Sequence, residues 1–128
     1  MCYSGETYEE CCRPYHKGEA SPRTPEALMR SRFCAYALGL ADYIMETTHP
    51  DGPHWEEDSS HWRKSIFAFS NATDFAGLEV VSTEVDEEDD LGWVTFEADL
   101  RQLGEPVPMQ ERSLFERVDG RWLYVQAD

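Results

Sequence analysis

Met29, Phe33, Tyr36 and Leu40 recur at helical spacing and form one apolar stripe. The start of that helix is marked by Thr24-Pro25-Glu26: a capping hydroxyl, a proline suited to the first turn, and an acid at the positive end of the dipole. Gly39 ends it. A second, short helix is expected from a cap at Asp42 and carries Tyr43, Ile44 and Met45. His49-Pro50-Asp51-Gly52-Pro53 stops it in a loop. A third begins near Ser59 or Ser60 and runs through Trp62, Ile66, Phe67 and Phe69, closing over Asn71 to Asp74.

The period then changes to that of a strand. Residues 78 to 85 read as extended, and Asp86 to Asp90 as an acidic turn. Residues 93 to 101 alternate, with Val94, Phe96, Ala98 and Leu100 on one face and Trp93, Thr95, Glu97 and Asp99 on the other. Gly104 to Pro108 is expected to be a loop, and residues 109 to 118 a further strand. Asp119-Gly120 is a hairpin turn that returns the chain as Trp122-Leu123-Tyr124-Val125. Helices followed by a four-stranded meander imply an α+β fold, with the helices packed on one face of an antiparallel sheet.

Composition adds a boundary. Residues 1–23 carry cysteines, prolines and glycines with no apolar period and nearly balanced charge. Almost all of the net charge of −15 falls in residues 24–128, and only Lys17 and Lys64 are lysines. Such a surface disfavours binding to nucleic acid and to anionic membranes. It also fits a salt-adapted host, in which screening relieves the self-repulsion. The five carboxylates of Asp86–Asp90 lack the ligand spacing and central glycine of a calcium loop and read as a solvated turn. No apolar run is long enough to span a bilayer and no secretory signal is evident, so a cytoplasmic protein with reduced thiols is expected.

Three of the four cysteines fall within residues 2 to 12, Cys-Tyr-Ser-Gly-Glu-Thr-Tyr-Glu-Glu-Cys-Cys. Thiolates are soft metal ligands, and a Ser-Gly turn lets Cys2 approach Cys11 and Cys12 around one ion. A closed zinc site needs a fourth ligand, for which His16 is the candidate within the segment.

This stretch resembles the SEC-C motif, Cys-x-Cys-Gly-Ser-Gly-x-x-Tyr-x-x-Cys-Cys (or Cys-His), the zinc-binding tail of the bacterial preprotein-translocase ATPase. The continuation resembles the YchJ family of small bacterial proteins. The resemblance is carried by Leu28-Met29-Arg30-Ser31-Arg32-Phe33, Ala41-Asp42-Tyr43, Thr48-His49-Pro50, Glu111-Arg112-Ser113 with Phe115, and Gly120-Arg121-Trp122-Leu123-Tyr124. It implies a SEC-C-like segment over 1–23 and, over 24–128, a domain similar to nuclear transport factor 2, in which helices close a strongly curved sheet into a cone. It implies zinc as cofactor and assigns no biochemical activity. The motif's first cysteine would precede Met1, and its first glycine is Tyr3 here. The missing ligand then comes from upstream residues, from His16, or not at all.

A cone encloses a cavity, and the candidates to line it are Arg30, Arg32, Tyr36, His49, Glu97, Arg112, Trp122 and Tyr124. Within the Arg30-Ser31-Arg32 run and at Arg112, an arginine paired with Glu111 or another carboxylate, tying helix to sheet, is preferred over an anion-binding floor. His49 is expected to cap the preceding helix. Cys34 is expected to be a small core residue. No spacing singles out a catalytic pair. The expected role is therefore a non-enzymatic accessory protein that docks a protein partner through the cysteine segment. The alternative is a small-molecule-binding protein or enzyme that uses the cone's cavity.

Overall fold

The computed structural model describes residue 3 and residues 5–127. A short helix, α1 (Arg13–His16), precedes α2 (Pro25–Leu38), α3 (Ala41–Glu46) and α4 (Ser59–Ala72). Strands β1 (Asp74–Asp86), β2 (Leu91–Gln102), β3 (Glu105–Pro106), β4 (Met109–Val118) and β5 (Arg121–Ala127) follow. They form one antiparallel sheet in the order β1-β2-β4-β5, with β3 paired to the end of β2. No helix among the described residues is long and apolar enough to cross a membrane.

Local chemistry accounts for the element ends. The Thr24 hydroxyl accepts from the Ala27 amide at 3.1 Å, and Gly39 closes α2 in the left-handed conformation at φ 72°. Asp58, just before the expected Ser59 or Ser60 start, caps α4 by accepting from the His61 amide. Asp42 does not cap α3; it lies in the first turn and pairs with Arg63 of α4. Asp119 and Gly120 both have positive φ, as a two-residue type I′ turn requires. Leu103 and Gly104 build a similar turn, so the expected loop over 104–108 contains β3.

The alternation of β2 holds: Val94, Phe96, Ala98 and Leu100 are buried beneath the helices. Register shifts at Phe75/Gly77, Val80/Ser82 and Leu114/Phe115 are bulges, which bend the strands and curve the sheet around the helices. Gly92 lets α2 seat on the sheet, because a Cβ there would collide with the ring of Pro25 and touch Trp122. The segment after α3 runs along the open edge of β5. The His49 amide donates to the Tyr124 carbonyl and the Tyr124 amide donates to the Thr47 carbonyl, each at 2.8 Å. That pairing fixes Thr47, Thr48 and Tyr124 around one end of the cone.

Candidate functional site: a cone cavity with a buried arginine

The cone is not filled. A cavity of about 390 Å³ lies between α2, α4 and the concave face of the sheet. Its wall is mainly apolar, with Phe33, Phe69 and Phe75 in edge-to-face contact at 5.3 and 5.8 Å. Polar groups enter it from Arg32, Tyr36, Ser113, Tyr124 and Glu111, and His54, Glu56 and Ser65 border it near solvent.

Arg32 is buried, with 7% of its surface exposed. Nη1 donates to the Ile44 carbonyl at 3.0 Å and to the hydroxyls of Thr47 and Thr48 at 2.7 and 3.2 Å. Its guanidinium lies 4.6 Å over the Tyr124 ring. All of these partners are neutral. Among the described residues no carboxylate pairs with it, and no hydrogen bond is made by Nε or Nη2. Arg32 is one of the residues that line the cavity. Burial lowers the basicity of the guanidinium, opposed by the nearby Tyr36, Tyr124 and Tyr43. Burial also raises the Tyr124 phenol to about 12, with Glu111 adding to the rise, so this hydroxyl stays protonated at neutral pH.

Of the eight positions expected to line the cavity, Arg32, Tyr36 and Tyr124 do so. The others lie elsewhere, each for a local reason. Arg30 points along α2 to Glu26 at 2.9 Å. Arg112 is on the opposite face of β4, over Trp93 and 3.5 Å from Glu84. Glu97 is exposed on the outer face of β2. Trp122 is buried under Arg117 and donates to the Arg23 carbonyl. His49 does not cap α3: its Nδ1 accepts from the Asp51 amide, and its Nε2 stands 3.3 Å from Glu116. The pairing of an arginine with a carboxylate is made within α2 by Arg30 with Glu26 and within the sheet by Arg112 with Glu84. Arg32 bridges α2 to the chain after α3 through neutral oxygens. Phe69, Phe75, Glu111 and Ser113 line the cavity without having been anticipated. For β4 the signal was parity: Glu111 and Ser113 share the face of Phe115, and Arg112 falls on the other.

The cysteine segment packs onto α2. The ring of His16 bridges the two: Nε2 donates to the Ser31 carbonyl at 2.7 Å, leaving Nδ1 to accept from the Tyr8 hydroxyl at 2.9 Å. Both ring nitrogens are thus engaged by protein groups, and burial lowers the His16 pKa below its usual value. Cys12 and Cys34 are buried together, with Cys11 and Tyr8 packed against them. Cys34 is therefore a core residue, as expected, but its neighbours include the thiol segment. The Cys11 and Cys12 sulfurs are 3.8 Å apart. Cys2 lies outside the described residues. No group of three or more metal-binding side chains occurs among the described residues.

Comparison with known proteins agrees with this architecture. A family model described as "YchJ, middle NTF2-like domain" matches residues 24–127. A UPF0225 protein of Deinococcus radiodurans is 42% identical over 127 residues, covering 98% of this chain and 85% of that one. The solution structure of a SEC-C motif containing protein from Rhodopseudomonas palustris superposes with a TM-score of 0.84 at 36% identity, covering 98% and 94% of the two chains. A SEC-C motif containing protein from Psychrobacter arcticus gives a TM-score of 0.76 at 28% identity, covering 96% and 74%. On the family match over its cone and the likeness of nearly its whole length to these relatives, the chain belongs to the YchJ (UPF0225) family of SEC-C motif proteins.

Proposed function

We propose that this is a small-molecule-binding protein that holds an amphipathic ligand inside its cone. The observation that carries this reading is the open cavity of about 390 Å³, aromatic-walled and polar at a few fixed points. Small-molecule pockets typically span roughly 300–1,000 Å³ and combine an apolar wall with a few placed polar groups. The uncharged fluorescent probe N-phenyl-1-naphthylamine tests it. Its emission should rise on binding to the wild type and not to Ser65→Trp, which plugs the cavity from an exposed helix position. An unchanged rise in the plugged variant, or none in the wild type, would refute the reading.

The N-terminal segment supports a second reading as a zinc knuckle that docks a protein partner. We place such a protein in the cytoplasm, where thiols stay reduced. Two thiolates held ~2.3 Å from one tetrahedral ion stand roughly 3.8 Å apart. The Cys11 and Cys12 sulfurs have that separation before any metal is added. With Cys2 they make three ligands, and His16 becomes the fourth only by giving up one ring nitrogen's hydrogen bond, to the Tyr8 hydroxyl or to the Ser31 carbonyl. Bound zinc would fix the fold of the segment and deprotonate its thiols. Native mass spectrometry with elemental analysis should find one zinc per chain, lost in Cys11→Ser. Metal-free protein after purification and zinc challenge would sink this reading. Equal partner recovery with and without residues 1–20 would sink the docking role.

A further inference from the structure

We propose that the cavity takes an organic monocarboxylate with an apolar body, gripped side-on by Nε and Nη2 of Arg32. This rests on the cavity reading and names its ligand class.

The partners of the guanidinium fix its orientation. Nη1 is committed to Ile44, Thr47 and Thr48, and the Tyr124 ring covers one face. What remains is the edge formed by Nε and Nη2, which make no hydrogen bond among the described residues, on a side chain that lines the cavity. Two parallel N–H donors on one edge are the fork that matches the two oxygens of a carboxylate. A lysine, or an arginine committed through Nε, could not present it.

A buried cation normally has a carboxylate beside it, because desolvation costs several kcal/mol. Among the described residues this one has neutral oxygens and a ring for partners. Glu56 and Glu111 border the same cavity yet make no ion pair with it among the described residues. An anion entering the cavity would supply the missing counter-charge. The hydroxyls of Tyr36 and Tyr124 belong to the same wall and can add donors to an anion seated there.

Phe33, Phe69, Phe75, Phe96 and Phe115 leave the wall apolar, so the body of the ligand should be hydrocarbon or aromatic. A single cation near two carboxylates suits a single negative charge better than a phosphate dianion. Non-specific attraction is not an alternative source of preference, since the chain as a whole carries −15 and repels anions.

Displacement of N-phenyl-1-naphthylamine tests the proposal on the intact protein, with 4-phenylbutyrate, 4-phenyl-1-butanol and inorganic phosphate as competitors. The carboxylate should displace the probe at least ~10-fold more tightly than the alcohol, equivalent to about 1.4 kcal/mol. Phosphate should not compete. In Arg32→Met the acid should fall to the alcohol's level, and Arg32→Lys should recover only part of the preference. Equal displacement by acid and alcohol, or preferential displacement by phosphate, overturns the carboxylate assignment and leaves the cavity reading standing. A preference that survives in Arg32→Met overturns the role of Arg32. Failure of the probe itself to bind removes both.

Discussion

Arg32→Met separates a binding arginine from a structural one. If Arg32 were one half of a buried ion pair, removing it should cost roughly 3–5 kcal/mol, the usual loss when one partner is taken away. Its contacts suggest otherwise. The hydroxyls it bonds keep their own donor bonds: Thr47 Oγ1 to the Tyr43 carbonyl and Thr48 Oγ1 to the Ile44 carbonyl, both at 2.7 Å. Ile44's carbonyl therefore keeps a partner, and no donor is stranded by the change. The change gives up a charged donor's bonds to neutral oxygens and the stacking over Tyr124, and it relieves the burial of a cation that has no carboxylate beside it among the described residues. Methionine packs well in an aromatic wall. The ligand-free variant should thus lose less than the ~3 kcal/mol at which the loss from a broken buried ion pair begins, read by urea unfolding followed by tryptophan fluorescence under two-state analysis. A loss above ~3 kcal/mol would show that Arg32 belongs to the framework, and the charge argument for an anionic ligand would fail with it.

Gly92→Ala should destabilise by roughly 1–3 kcal/mol, because the added methyl would drive Pro25 off the sheet; urea denaturation reads this, and an unchanged midpoint would show that α2 can shift freely. His16 is held neutral, with its folded pKa below the unfolded value of about 6.5. Below about pH 6.5 the unfolded chain therefore binds more protons, so stability present above that pH is lost as the pH falls toward the folded pKa. His16→Gln should flatten this part of the profile, and a slope that persists would assign it to other groups. The net charge of −15 predicts that added salt raises the melting temperature by screening self-repulsion. No gain between low and high salt would contradict that.

Much of the fold was legible because the local signals agreed with one another. Thr24-Pro25, Gly39 and Asp119-Gly120 mark boundaries whose chemistry is contained in a few residues. The alternation of β2 identified its buried face for the same reason. Leu103-Gly104 was missed because a leucine at positive φ is a poor turn former on its own, tolerated here within a hairpin. The site was less legible because it depends on distant pairings. Arg30 and Arg32 look alike in the chain, yet their positions on α2 send one to Glu26 and the other into the cone. The threonines that hold Arg32 are placed by backbone bonds to Tyr124, more than 70 residues away. No periodicity encodes that contact. His16 read as a ligand by proximity to the cysteines, and only the packing on α2 shows what both of its nitrogens meet.

The central claim is that the open edge of Arg32 receives a carboxylate, and the Nε–H resonance of that side chain reports it directly. In ¹H–¹⁵N spectra, titration with 4-phenylbutyrate should move the Arg32 Nε–H signal, assigned through its loss in Arg32→Lys. Arg30, Arg112 and Arg117, which lie outside the cavity, should stay in place, and 4-phenyl-1-butanol should leave the Arg32 signal where it was. A stationary Arg32 signal at saturating 4-phenylbutyrate, or equal shifts across those other arginines, would contradict the account.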